Sequence, residues 1–419
     1  MSLRLAVPTL CCLVLAAASG CELPAQIFWA SDGSRAVYVP GAASESPAAL
    51  IDANGAIIAT LGRSTGGCAW AADSRVMYFA ARVEKTAAPA VAVRYEWCNV
   101  AAEQLPPVEE DAKEVTAVSV WNQGVSTPLF HVDDQMVWYM TLSPDQQWLA
   151  VVAYKERKDR DDQLRLYVYS VRTGRLYLLS VACQKGVCFT GPARLAFVEP
   201  GKVRHGVSSD SGALVEVELD ADARTLERQH LAYVLPSMTS WLAALGEDVL
   251  LTTMPITLPM AQAEEIPPRR LYRYQRKQQE LTTLAQGVGD LFMPSPDGRL
   301  VLIEKLSREQ GRDSERSELA VIETASGRLH VLKIDGQPVT LPPSGMGMYP
   351  NWRGPRQIAA AALDGSRPPR EHGGRRYYEV MLYEIAEDFT LKPLRLLSEN
   401  WPLEMKPSVK LGPAPERAP

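Results

Sequence analysis

The side chains best suited to acid–base or metal chemistry in this chain are five histidines, His131, His205, His230, His330 and His372. They are scattered without ligand spacing, so the sequence predicts no metal site, and no motif calls for a cofactor. No G-x-S-x-G elbow, H-E-x-x-H pair or P-loop occurs, which argues against an appended hydrolase, a zincin and a nucleotide-binding domain. An imidazole stands close to carboxylates at His131, followed by Asp133 and Asp134 just ahead of an apolar run. If that run is an inner strand, the trio would approach the mouth of an axial channel and could exchange protons with a substrate there. A structural or solvated role is the commoner fate of such residues.

Recognition chemistry is denser than catalytic chemistry. Long charged stretches occur at 155–162 (KERKDRDD), 255–270, 307–318 (SREQGRDSERSE) and 364–376 (DGSRPPREHGGRR). The first holds Lys155, Arg157 and Arg160, and the third Arg308, Arg312 and Arg316. The fourth, with Arg367, Arg370, His372, Arg375 and Arg376, is the most basic, and the planar guanidinium fork suits a carboxylate or phosphate. Mixed charge is also what plain solvated loops carry. The whole chain has 44 basic against 49 acidic residues, net −5, which supplies no field for a nucleic-acid backbone.

These residues need a scaffold, and Leu291 to Ile303 (LFMPSPDGRLVLI) shows its unit: an apolar strand, a Ser-Pro-Asp-Gly turn and a returning apolar strand. Similar hairpins stand at Ile27 to Val39, Cys68 to Phe79, Met140 to Val152, Leu195 to Gly201, Trp241 to Thr252 and Tyr349 to Leu363. Trp29 and Trp70 each precede a turn aspartate by three residues, a fixed offset of the kind that repeated packing units require. Further β-rich pairs lie between the hairpins, for example Leu164 to Val171 with Leu176 to Ser180. Four strands per repeat predict an all-β chain folded as a single β-propeller. The copies support seven blades; six or eight follow if the fifth copy is an insertion or if 101–113 hides a degenerate blade. The turn aspartates Asp32, Asp73, Asp145 and Asp297 fall on separate repeats and are expected to bond their own turns, not calcium. Trp70, Tyr139 and Trp352 either line an axial funnel or, more commonly for such residues, pack between blades.

The Ser-Pro-Asp-Gly hairpins resemble the WD40-like, PD40-type repeats of TolB-like propellers, most closely at Ser295 to Gly298, Ser143 to Asp145 and Ser31 to Gly33. The resemblance implies an envelope binding protein, with a protein or cell-wall component as partner. With alternating strands, short Asp-Gly turns fall on one face and the long charged stretches gather on the other, where binding usually evolves. The alternative is a propeller hydrolase or lyase acting on a carbohydrate or peptide in the axial funnel.

At the N-terminus, Arg4, an apolar run from Leu5 to Ala18, and small residues ahead of Cys21 resemble a bacterial lipoprotein signal. That implies cleavage after residue 20, lipidation of Cys21 and a lipid-anchored protein of the bacterial envelope, on the periplasmic side or at the outer membrane. The predicted organisation is a signal peptide at 1–20, a tether at 21–25, the propeller at 26–403 and a Pro-rich tail at 404–419. In an oxidising compartment Cys183 and Cys188, which bracket four residues including Gly186, are expected to form a disulfide.

Overall fold

The computed structural model describes residues 25–40, 47–85, 91–99, 114–132, 135–155, 163–183, 186–200, 212–234, 242–253, 269–308, 315–341, 348–363, 370–372, 375–399 and 401–402. Residues 1–24, with Cys21, and 403–419 lie outside them, as do Asp133, Asp134, Arg157, Arg160, Arg312 and Arg367.

Strands buried on both faces read as continuous apolar runs, and half-buried ones alternate. This chain shows both. Val76–Glu84 begins with six residues of which five are buried, whereas Val125–Val132 alternates strictly between buried and more exposed positions. The first kind sits inside a sheet stacked on two neighbours; the second forms its outer edge.

Blade 1 is β1 (Gln26–Trp29), β2 (Arg35–Val39), β3 (Ala49–Asp52) and β4 (Ile57–Thr60). Blade 2 is β5 (Ser64–Trp70), β6 (Val76–Glu84), β8 (Glu114–Asn122) and β9 (Val125–Val132), with β7 (Val93–Arg94) lying in the long connection between β6 and β8. Blade 3 is β10 (Gln135–Leu142), β11 (Trp148–Lys155), β12 (Gln163–Ser170) and β13 (Arg175–Cys183); blade 4 is β14 (Val187–Phe189), β15 (Arg194–Pro200), β16 (Gly212–Glu218) and β17 (Arg228–Val234). Blade 5 is β18 (Leu242–Leu245), β19 (Asp248–Thr253), β20 (Arg270–Gln275) and β21 (Glu280–Gln286). Blade 6 is β22 (Val288–Pro294), β23 (Leu300–Arg308), β24 (Glu315–Glu323) and β25 (Leu329–Val331), followed by a small hairpin, β26 (Lys333–Ile334) and β27 (Gln337–Pro338). Blade 7 is β28 (Asn351–Gly354), β29 (Gln357–Ala361), β32 (Val380–Ile385) and β33 (Leu391–Leu396), with the hairpin β30 (Arg370–His372) and β31 (Arg375–Tyr377) inserted at its middle. The fold is thus a seven-bladed, all-β propeller, and 101–113 lie outside the described residues.

The turn residues act as the sequence suggests. In blade 6, Ser295 Oγ donates to Asp297 Oδ1 at 2.7 Å, and Oδ1 also receives the Arg299 amide while Ser295 Oγ receives that of Leu300. Gly298 takes the left-handed conformation, φ 69°, that closes the turn. Blade 3 repeats the pattern through Ser143 and Asp145, with Gln146 at φ 62° in the glycine position. Asp32 and Asp73 likewise accept the amides of Ser34 and Arg75.

One hairpin is placed differently. Leu195 to Val198 is the second strand of blade 4, not the first. The inner strand is the short β14, and the turn is formed by Thr190 to Ala193, where the Thr190 amide bonds Arg194 O at 2.9 Å. Glu199 and Pro200 end β15 and lead into the following connection, so their turn-like composition belongs to another corner of the blade.

Tryptophans tie neighbouring blades at the inner strands. Trp70 Nε1 donates to Phe28 O of blade 1, and Trp352 Nε1 to Met293 O of blade 6, both at 2.9 Å. Further out, Glu216 of blade 4 is buried and receives Arg276 of blade 5 at 2.7 Å and the Thr190 hydroxyl at 2.7 Å. The ring closes without a shared sheet, because blades 1 and 7 are each one continuous segment. Beside one backbone bond, from the Tyr349 amide to Ala25 O at 3.1 Å, side chains make the seam: Asn351 Nδ2 donates to Ile27 O, Arg353 Nε to Gly33 O and Trp401 Nε1 to Gly55 O, while Tyr38 and Trp401 rings meet at 4.6 Å.

Candidate functional site

Two regions can bind: the rim built by the connections and the axial cavity built by the inner strands. On one face the first-to-second and third-to-fourth strand connections are mostly short: 30–34, 143–147 and 295–299 are examples of the former, 123–124 and 171–174 of the latter. On the opposite face the second-to-third connections are mostly long, at 40–48, 85–113, 156–162, 201–211, 254–269, 309–314 and 362–379. All four charged stretches therefore fall on one face.

Their residues are not alike. Lys155 ends β11, and Arg308 and Arg316 lie on β23 and β24, where Arg308 pairs with Glu315 and Ser307 with Arg316. The connection there is only 309–314, shorter than the charged stretch. Arg316 is partly exposed, and its Nε lies 3.8 Å from Glu318, a weak ion pair at a hydrated site. Arg370, His372, Arg375 and Arg376 are carried on a hairpin, with Arg370 opposite Tyr377, Glu371 opposite Arg376 and His372 opposite Arg375.

His131 is not at the axis. It lies on β9, the outermost strand of blade 2, opposite Ala117. The apolar run after it is indeed an inner strand, β10, beginning at Gln135. The missing signal was the strand pair β8 and β9, whose period-2 alternation places His131 at a sheet edge.

Cys183 and Cys188 are free, buried thiols, not a disulfide. Alternation along a strand explains it: Val187 and Phe189 pack with Cys183 between blades 3 and 4, and Cys188 between them points to the opposite side, against Leu242, Val249 and Leu251. The sheet of blade 4 stands between the two sulfurs. Burial pushes the Cys188 thiol up to about 12, with nearby Glu216 adding to it, and burial raises Cys183 as well, so neither is a ready nucleophile.

Part of the long connection between β6 and β8 is built into the ring. β7 adds to the outer strand of blade 3 in parallel, Val93 beside Leu176 and Arg94 beside Tyr177. Beyond it Trp97, buried, donates its indole N–H to Ala223 O of blade 4 at 3.1 Å. Arg228, paired with Glu199 at 2.5 Å, clamps this strap by donating to Trp97 O and Leu179 O.

The inner strands line an axial cavity of about 380 Å³. Its wall includes Ile27, Phe28, Met140, Leu242, Leu291, Phe292, Met293 and Trp352, with Gln26, Cys68, Tyr139 and Asn351 as polar members. Of the aromatic residues expected either to line a funnel or to pack between blades, all three pack between blades, and Tyr139 and Trp352 also reach the cavity wall. Among the described residues the lining contains no histidine, carboxylate, lysine or arginine, and no cluster of three metal-ligating side chains occurs.

No protein-family signature and no curated protein sequence matches the chain. Solved structures do. An oligogalacturonate lyase in complex with manganese superposes with a TM-score of 0.53 and 14% identity, over 87% of this chain and 89% of that one. An oligogalacturonate lyase from Vibrio parahaemolyticus gives a TM-score of 0.53 at 10% identity, over 88% and 93%. TolB from Acinetobacter baumannii matches over 91% of this chain and 82% of its own, with a TM-score of 0.39 and 13% identity. At such identities likeness speaks for fold alone. The class of protein is a β-propeller, with TolB among its structural neighbours.

Proposed function

We propose that the protein is a non-catalytic binding module of the bacterial cell envelope, lipid-anchored through Cys21, whose loop face docks a protein or cell-wall partner. One observation carries this reading: every long, charged second-to-third connection leaves the ring on the same face, and the opposite face has mostly short turns, 219–227 being its longest connection. Rigid sheets hold that rim in place, an arrangement suited to recognition. The lyase fold neighbours, near a tenth identical, do not transfer their reaction to this site.

The test uses photo-crosslinkers placed at Arg376 on the rim and at Thr173 on the short-turn face, in native envelope membranes. Capture of one partner from position 376 and not from 173, abolished by Arg370→Glu with Arg375→Glu, is the expected result. Equal capture from both faces, or none from 376, overturns the rim. Cys21→Ala is expected to release the protein from the membrane fraction; persistence there overturns the anchor.

A further inference from the structure

The axial cavity is more than a gap between blades. Six of the seven blades contribute to its wall from their innermost strands, blade 4 with its short β14 being the exception among the described lining. A ring cannot shrink this space by local repacking, because the distance of each inner strand from the axis is fixed by the packing of whole sheets against one another. Close approach is already used where it is available: a Cβ on Gly67 of β5 would stand 2.6 Å from Val137 and 2.9 Å from Met140 of β10.

The wall carries polar groups at its loop-face end. β1 runs from the loop face to the short-turn face, so Gln26, its first residue, and Tyr349, just before β28, stand at the loop-face end. Pro296 belongs to the short turn at the other end, and Phe28, Met293 and Trp352 lie towards it. Asn351 Nδ2 is held by Ile27 O at 2.6 Å, which leaves its carbonyl oxygen as an acceptor. Burial pushes the Tyr139 phenol up to about 12, with Cys188 adding to it and a bond to Thr141 opposing, so this wall stays uncharged at neutral pH. Water gains little from such a lining, which offers few of the two to four partners an ordered water needs. A cavity of this volume falls within the range that encloses small ligands.

We propose that the axial cavity binds a neutral, mainly hydrocarbon molecule with one uncharged hydrogen-bonding end. The hydrocarbon body lies among Phe28, Met140, Leu242, Phe292 and Trp352, and the polar end meets Gln26 and Asn351. The two methionines, flexible and polarizable, adapt the wall to straight or ring-shaped bodies. A carboxylate or an oligouronate is rejected, because its charge would be buried without a partner.

The test measures binding to the purified chain by tryptophan fluorescence, which Trp352 reports from the wall, and by thermal unfolding. The probes are dodecan-1-ol and 2-naphthol, with dodecanoate and trigalacturonate as charged counterparts. At least one neutral probe is expected to raise the Tm and change the fluorescence saturably, with dodecanoate weaker by roughly tenfold or more, the order of burying an unpaired charge. Preference between dodecan-1-ol and 2-naphthol identifies a chain-like or ring-like natural ligand. Ala243→Phe fills the cavity from blade 5 and is expected to abolish binding while the far-UV spectrum is retained; Ala243→Met serves if the larger residue prevents folding. No saturable response to either neutral probe, unchanged binding in the folded filled variant, or tighter binding of a charged probe would each overturn the proposal.

Discussion

The indole of Trp97 lies flat on the phenol ring of Tyr177, centroids 3.7 Å apart and planes 8° from parallel, so a residue inserted in blade 2 caps the outer strand of blade 3. The same indole reaches blade 4, which makes the strap a brace across three consecutive blades. Trp97→Ala is expected to cost about 3 kcal/mol, the lower end for a buried tryptophan, since the strap's backbone bonds to β13 remain. Limited proteolysis would read it directly: cleavage within 85–113 accelerates in the variant, and Trp97→Phe restores most of the protection.

Gln146 holds φ 62° where the equivalent turn of blade 6 has Gly298 at 69°. A side chain in that conformation costs roughly 1 kcal/mol, so Gln146→Gly should stabilise the protein by somewhat less than that. Gly298→Ala should do the opposite. Urea midpoints at constant m-value check both.

Arg276 and Arg299 both face a carboxylate, in very different surroundings. The Glu216 side chain is 4% exposed, whereas the Arg299 side chain is 86% exposed and 3.7 Å from Asp297. Arg276→Ala leaves a buried carboxylate with only the Thr190 hydroxyl and is expected to cost about 2–3 kcal/mol, below the full range for a buried pair because the arginine is partly hydrated. Arg299→Ala should cost under about 0.5 kcal/mol. In a double-mutant cycle, Glu216→Gln is expected to remove most of the Arg276 effect.

Acid should loosen the turns. At Asp297 burial opposes ionisation, but bonds from Ser295 and the Arg299 amide, with the Arg299 charge, together outweigh it and leave the carboxyl below its ordinary 3.8. Asp32 is likewise lowered by its bonds to Ser34 and Ser74 against the effect of burial. A depressed carboxylate contributes its stability above the unfolded-state value and loses it as pH falls through the folded one. The urea midpoint should therefore drop between about pH 5 and pH 3. Asp297→Asn should show a smaller drop over the same interval.

Periodic features could be read before the structure. The Asp-Gly turns, the apolar inner strands and the face on which charged connections gather follow from local propensity and alternation, which act on each repeat alone. The fourth hairpin was misplaced because β14 is only three residues long and Glu199-Pro200-Gly201 imitates the turn. His131 and the Cys183 and Cys188 pair misled for one reason: sequence proximity says nothing about which side of a sheet a side chain takes when the strand register is unknown. Trp97 was hidden because its partners, Tyr177 and Ala223, are supplied by later blades. The axial lining is equally non-local, since each inner strand contributes only a few residues and the cavity exists only when the ring is complete.

The seam between blades 1 and 7 has a consequence for the order in which the molecule is made. Within a blade, strands pair with near neighbours in sequence, whereas the seam bonds join residues 320 to 346 positions apart. Contacts of such separation carry the largest closure entropy and are favoured to form after the local ones. Each blade can therefore fold as it emerges, and the last event is the docking of two finished sheets through Asn351, Arg353 and Trp401. Whole-blade circular permutants that keep these three residues should reach the same ring, with the slowest refolding step moved to the new break.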